Sequence, residues 1–120
     1  MSRVLCVGSH GANQPAKASF PFAAALIATN AGDEAQVALV SDATRLMKDA
    51  VLRKVHTSEW PALAELLQRV VDLGIPVFVC EGCCRVQGVS GNDVASKQAL
   101  LATPEQIMEM KTIADKVLRL

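Results

Sequence analysis

The sequence has no tyrosine and few other aromatic residues. Its 120 residues include three phenylalanines and one tryptophan. The interior must therefore be filled by Ala, Val and Leu, whose small side chains favour close packing of helices on a sheet. Hydrophobic residues make up 51% of the chain, enough for a core without disulfides or a structural metal. This length predicts one domain spanning residues 1–120.

The chain also lacks any excess of positive charge. Twelve Lys and Arg residues balance twelve Asp and Glu residues, and the basic residues form no run or stripe. Binding to nucleic acid or to an anionic membrane requires clustered Lys and Arg, so neither partner is expected. Zero net charge combined with high apolar content favours self-association instead.

Long apolar runs are missing as well. No segment approaches the ~20 apolar residues that a membrane span needs. The segment Met1–Gly8 carries one basic residue and is too short for a secretory signal, so it is predicted to be a first strand. We therefore expect a cytoplasmic protein, in which thiols stay reduced and clustered cysteines are more often catalytic or metal-binding than disulfide-bonded.

Short apolar runs alternate with segments of helical periodicity. The predicted strands are Arg3–Val7, Ala35–Val40, Ile75–Cys80, Gln98–Ala102 and Lys116–Leu120. The predicted helices begin at Ser19, Ala43, Ser58 and Thr103, with a short helix or tight turn at Cys83–Val89 and a further turn at Ser90–Asp93. Strands that are apolar on both faces indicate a parallel sheet covered on both sides. The expected fold is a three-layer α/β/α sandwich, flavodoxin- or Rossmann-like, with a mostly parallel sheet of about five strands.

Such sheets bind ligands beyond the carboxyl ends of their strands. The loops at that edge should begin at Gly8, Ser41 and Cys80, which are far apart in sequence. The side chains expected to share this rim are His10, Asn13, Asp42 and Cys80. The Gly8–Gly11 loop has neither the glycine spacing of a dinucleotide site nor the Gly-Lys-Ser/Thr of a P-loop.

Three of the four cysteines lie between positions 80 and 84. Cys80 ends a strand and precedes a turn, where backbone N–H groups would stabilise a thiolate and lower its pKa. Arg85 and Lys97 are candidates to add positive charge. The alternative is that Cys80 is a small buried packing residue, as is expected for Cys6 in the first strand.

Cys80 and Cys83 have the spacing of a redox pair, but such a pair normally lies near a fold's first strand. A closed zinc site needs four ligands, and His10 and His56 lack pair spacing, so no metal or cofactor is expected within one chain. A site shared between subunits stays open. The adjacent Cys83 and Cys84 must point in different directions, so at most one of them faces Cys80.

Several motifs, in order, resemble those of the DsrE/DsrF-like family, which includes YchN-like proteins and subunits of the TusBCD sulfur relay. The matching segments are Ala18–Phe22 (family A-T-L-P-F), Val37–Ala43 with Leu46-Met47 (D-A-V-x-L-M), Gly74–Cys80 with Cys83 and Gly88-Val89 (G-V-P-V-x-x-C-x-x-C-x-x-x-x-G-I), and Ala114–Leu118 (A-D-K-V-L). The likeness spans nearly the whole chain. It departs from the family at Gln87, where arginine is common, and by the extra thiol of Cys84.

This resemblance implies an α/β sandwich that assembles as a homotrimer or homohexamer. It also implies that Cys80 receives and passes on sulfur as a persulfide, with Cys83 as the second cysteine of many members. The leading hypothesis is a sulfur carrier or sulfurtransferase-like subunit that exchanges sulfur with donor and acceptor proteins and uses no cofactor. The possible surrounding pocket comprises His10, Asn13, Asp42, Cys84 and Arg85. The alternatives are a non-catalytic ligand-binding or regulatory oligomer and a dithiol redox protein.

Overall fold

A computed structural model describes all residues from 1 to 120 and contains one five-stranded sheet. The strands are β1 (Arg3–Gly8), β2 (Glu34–Leu39), β3 (Val77–Cys80), β4 (Leu100–Ala102) and β5 (Lys116–Arg119). Their order across the sheet is β4-β3-β2-β1-β5, and every neighbouring pair is parallel. The predicted α/β fold with a parallel sheet of five strands is confirmed.

Helices occupy the crossovers that parallel strands require. They are α1 (Pro15–Asn30), a 3₁₀ helix (Ser41–Met47), α2 (Asp49–Leu52), α3 (Leu63–Asp72), α4 (Glu81–Gln87), α5 (Gly91–Ser96) and α6 (Pro104–Ile113). No helix is both long enough and apolar enough to cross a bilayer.

The two faces of the sheet are covered unequally. On the first face, 26 buried residues from the strands, helices α1 to α5, the 3₁₀ helix and the intervening loops form the main core, in which Phe22 is fully buried. On the second face the buried cluster has six residues, and the helix that covers it is α6, through Ile107 and Met110. The second face is therefore the thin side of the molecule.

Two helix starts differ from the sequence prediction. Helix α1 begins at Pro15, four residues before Ser19, because proline at the first helical position needs no N–H partner. Ser19 does not cap the helix; its Oγ donates to the carbonyl of Pro15 at 2.9 Å. Helix α3 begins at Leu63 and not at Ser58, because the residue before Pro61 is disfavoured from helical geometry.

Two further segments were mispredicted. The stretch after Ser41 is a 3₁₀ helix followed by the separate short helix α2, where one α-helix was expected. Ser90–Asp93 is the N-terminus of α5 and not a turn. The Ser90 Oγ accepts from the N–H of Asp93 and the Asp93 carboxylate accepts from the N–H of Ser90, which is a capping box with Asp in place of Glu.

Burial of the Cys6 thiol makes the free energy of unfolding depend on pH in the alkaline range. Cys6 is fully buried in β1, as predicted, and burial raises its pKa from 9.0 to about 11. Between these values the unfolded chain has lost the proton while the folded chain keeps it, so the free energy of unfolding falls as pH rises. We predict that wild type loses up to about 3 kcal/mol more than Cys6→Ala between pH 9 and 11. Urea unfolding of both proteins across this range measures the difference; parallel curves would contradict it.

Candidate functional site

Cys80 is the last residue of β3 and lies at the carboxyl edge of the sheet. Its side chain belongs to the small cluster on the second face and is 5% exposed. Cys80 pairs with Ala102 of the neighbouring strand β4, and helix α4 begins at the next residue, Glu81. Since the strands are parallel, the ends of β1 and β2 lie at the same edge, so the predicted position of Cys80 on the rim is confirmed.

The surroundings of the Cys80 thiol have opposing effects on its pKa. Burial raises its pKa above 9.0, and the neighbouring Cys83 thiol raises it further. The backbone N–H groups of Cys83 and Gly82 act in the other direction, because they stabilise a thiolate. Desolvation is the largest influence, so the sequence-based expectation of a lowered pKa is wrong for this chain.

Cys83 and Cys84 lie on opposite sides of the local backbone. Cys83 is half-buried and contacts Cys80, whereas Cys84 is buried in the main core on the first face. Burial raises the pKa of Cys84 to about 11. Cys84 therefore does not line the cavity beside Cys80, and the inference that at most one of the two faces Cys80 is confirmed, since Cys83 does.

A cavity of about 320 Å³ opens beside the two thiols. Cys80, Cys83, Ser41, Gly82, Val86, Gln87 and Pro104 line it. Val86 is 85% exposed and borders the opening. Ser41 has a φ of 53°, which is uncommon for a residue other than glycine and holds the loop after β2 in a strained conformation.

Neither cation expected near Cys80 reaches it. The Arg85 guanidinium pairs with Glu81 at 3.1 Å, one turn earlier on α4, and Arg85 is not among the residues that line the cavity. The Lys97 ammonium pairs with Asp49 at 2.6 Å on another part of the surface. Because neither cation lies beside Cys80, no positive charge offsets the effect of burial on the pKa of its thiol.

Two of the other predicted rim residues line a second, neighbouring cavity of about 360 Å³. Asn13 and Asp42 line it, together with Arg45 and Lys54. His10 lines neither cavity; its Nδ1 lies 3.4 Å from the Ser9 hydroxyl. The predicted common pocket is therefore two cavities, and His10, Cys84 and Arg85 belong to neither.

Gln87 connects the two cavities. Its Nε2 donates to Asp42 Oδ1 at 3.0 Å, which joins helix α4 to the loop after β2. From the sequence, Gln87 is only a departure from a family pattern, and Arg45 is not singled out. Because Arg45 follows Asp42 by three positions in a helical segment, this spacing was the available signal. Nowhere in the chain do three His, Cys, Asp or Glu side chains converge as metal ligands do.

The model of the DsrE/DsrF-like family matches residues 2–120. The uncharacterized protein MJ0989 of Methanocaldococcus jannaschii is 30% identical over 93 residues, which are 78% of this chain and 77% of that protein. The YchN protein of E. coli has a TM-score of 0.75 at 18% identity, covering 100% of both chains. A conserved protein of unknown function from Bacteroides thetaiotaomicron, BT1422, has a TM-score of 0.73 at 13% identity and covers 99% of this chain and 95% of its own.

The thiol pair predicts an effect of Cys83 on Cys80. Replacing Cys83 by Ala removes the side chain that raises the Cys80 pKa and keeps the backbone N–H that lowers it. We predict a lower Cys80 pKa in Cys83→Ala. The pH dependence of Cys80 alkylation, followed by mass spectrometry of the Cys80 peptide, measures it. Cys84→Ala serves as the control, and an unchanged or higher pKa in Cys83→Ala would contradict the geometry.

Proposed function

This chain belongs to the DsrE/DsrF-like family, and we propose that it is a sulfur carrier that holds sulfane sulfur as a persulfide on Cys80. At the level of the family, membership indicates a role related to sulfur relay. The observation that supports the finer proposal is the position of the Cys80 thiol, at the end of a buried strand, beside two backbone N–H groups and a cavity that opens to solvent.

Sulfur uptake and delivery are two exchanges at Cys80. In the first, the Cys80 thiolate attacks the outer sulfur of a donor persulfide, a new S–S bond forms, and the donor leaves as a thiolate. In the second, an acceptor thiolate attacks the outer sulfur of the Cys80 persulfide, and Cys80 leaves as the thiolate. No net oxidation occurs, so neither step needs a redox cofactor. Both steps need reduced thiols, which supports a cytoplasmic location.

The raised pKa of Cys80 affects the rate of sulfur uptake. At neutral pH a smaller fraction of Cys80 is thiolate than for an exposed cysteine, so uptake from a weak small-molecule donor should be slow. The N–H groups of Gly82 and Cys83 are already placed to stabilise the thiolate once it forms. Uptake should therefore accelerate as pH rises toward and beyond 9, because the reactive species becomes more abundant.

The contact between the Cys80 and Cys83 thiols supports a second candidate, a dithiol that also acts in redox exchange. The Cys83 thiolate would attack the inner sulfur of the Cys80 persulfide, release hydrosulfide and leave a Cys80–Cys83 disulfide. A dithiol reductant would then be needed to regenerate the pair, since the disulfide holds two oxidising equivalents.

We also propose that the protein self-associates through the second face of the sheet. The edge strand β4 and helix α6, which border this face, carry exposed apolar residues, including Leu100 (55% exposed), Leu101 (44%) and Ile113 (52%). These residues border an apolar hollow of about 410 Å³. An uncovered edge strand beside an apolar patch is a feature that native proteins normally bury, and a homotrimer or homohexamer would bury it.

Persulfide formation gives a direct prediction. Incubation with a polysulfide donor should add about 32 Da per sulfur to the wild-type chain, and dithiol treatment should remove it. The Cys80→Ser variant should take up no stable sulfur. Cys83→Ser should retain the adduct longer than wild type, because the thiol that displaces hydrosulfide is gone. Intact-mass spectrometry measures all three proteins, with Cys84→Ala as the matched control. Wild-type uptake by Cys80→Ser would refute the assignment.

Self-association has its own prediction. Leu100→Lys places a charge on the apolar second face, and light scattering after size exclusion should show a shift from oligomer to monomer. Leu73→Lys, at an equally exposed leucine near the end of α3, should leave the oligomer intact. A wild-type chain that elutes as a monomer, or equal dissociation of both variants, would exclude this interface.

A further inference from the structure

We propose that the cavity beside Asp42 is a binding site for a small molecule that carries a doubly charged oxyanion of the phosphate or sulfate type. The cavity lies beyond the carboxyl ends of β1 and β2, where ligands bind in open parallel sheets. It is separate from the cavity of the Cys80 thiol. The inference holds whether or not Cys80 carries sulfur.

Two cations in the cavity wall support it. Arg45 and Lys54 both line the cavity, and neither forms an ion pair with a carboxylate of the chain. Unpaired cations on a surface are common one at a time, but these two converge on one concave site from the 3₁₀ helix and from the segment after α2. The guanidinium of Arg45 offers the paired donors that match an oxyanion.

The loop after β1 supplies uncharged hydrogen-bond donors to the same cavity. Gly11, Ala12 and Asn13 line the cavity, and their backbone N–H groups donate to no backbone or side-chain acceptor of the chain. A Cβ placed on Gly11 would lie 3.1 Å from the Asp42 carbonyl oxygen, so the loops after β1 and β2 are in close contact. That contact fixes the donors relative to the cations before any ligand binds.

The charge balance and the size define the ligand. Arg45 and Lys54 face one carboxylate, Asp42, whose Oδ1 is already occupied by the hydrogen bond from Gln87. The cavity therefore keeps a net positive charge. Its volume of about 360 Å³ is at the lower end of small-molecule sites, which run from roughly 300 to 1,000 Å³, and exceeds that of a bare oxyanion. The apolar side chains of Ala12 and Val51 would contact the organic part of the ligand.

Titration followed by amide NMR tests the site with inorganic probes. Thiosulfate, sulfate and phosphate are added at constant ionic strength, and acetate serves as a monoanion of similar size. The expected result is saturable shifts of the Gly11, Ala12 and Asn13 amides with at least one dianion, and weaker binding of acetate. The three dianions identify which oxyanion the site prefers. No saturable shift at these amides with any dianion would overturn the proposal.

Matched variants separate the cavity from bulk charge. Arg45→Gln and Lys54→Gln should each weaken binding by about tenfold, the usual effect of losing one charged hydrogen bond. Arg53→Gln removes the same charge one residue from Lys54, outside the cavity lining, and should change affinity less than about twofold. Asp42→Asn should tighten binding. Equal weakening by Arg53→Gln, or no effect of Arg45→Gln, would contradict the proposal; Cys80→Ser should bind as wild type.

Discussion

Parallel alignment of β1, β2 and β3 is the constraint on which both cavities depend. The register pairs Gly8 with Leu39 and Leu39 with Val79, so the three strands end side by side. Each strand then releases its loop at the same edge, which brings residues 8–13, 41–45 and 80–87 together although they are far apart in sequence. The hydrogen bond from Gln87 to Asp42 and the close approach of Gly11 to Asp42 follow from this alignment.

The unequal coverage of the two sheet faces sets the surroundings of the Cys80 thiol. Cys80 faces the thin side, yet it lies in the small buried cluster with Ala102 and is 5% exposed, so desolvation dominates its pKa. The same thin side exposes apolar residues at the edge strand. One physical feature, a sheet face covered by one helix, therefore connects the reactivity of Cys80 with the proposed self-association, and a partner on this face would alter the thiol environment.

Much of the fold could be predicted from the chain because buried parallel strands leave a plain signal. Short segments of five or six mostly apolar residues predicted the strands, although Lys116–Leu120 also carries Lys116 and Arg119, and the step from Val79 to Cys80 to Glu81 predicted the rim. What the sequence could not convey was side-chain packing. The pKa direction of Cys80 depends on how completely the neighbouring side chains bury it. Whether Arg85 pairs with Glu81 or lies beside the Cys80 thiol depends on its side-chain conformation. The positive φ of Ser41 has no sequence signature, since serine rarely adopts it.

The central claim is that sulfur resides on Cys80 and not on its more exposed neighbour Cys83. Exposure alone favours Cys83, so the two residues must be distinguished directly. After loading with a polysulfide donor, alkylation of the persulfide, digestion and fragmentation of the peptide spanning residues 80–84 locate the extra sulfur. The account predicts it on Cys80, with Cys83 alkylated as an ordinary thiol. Extra sulfur found on Cys83 or Cys84, with Cys80 unmodified, would contradict it.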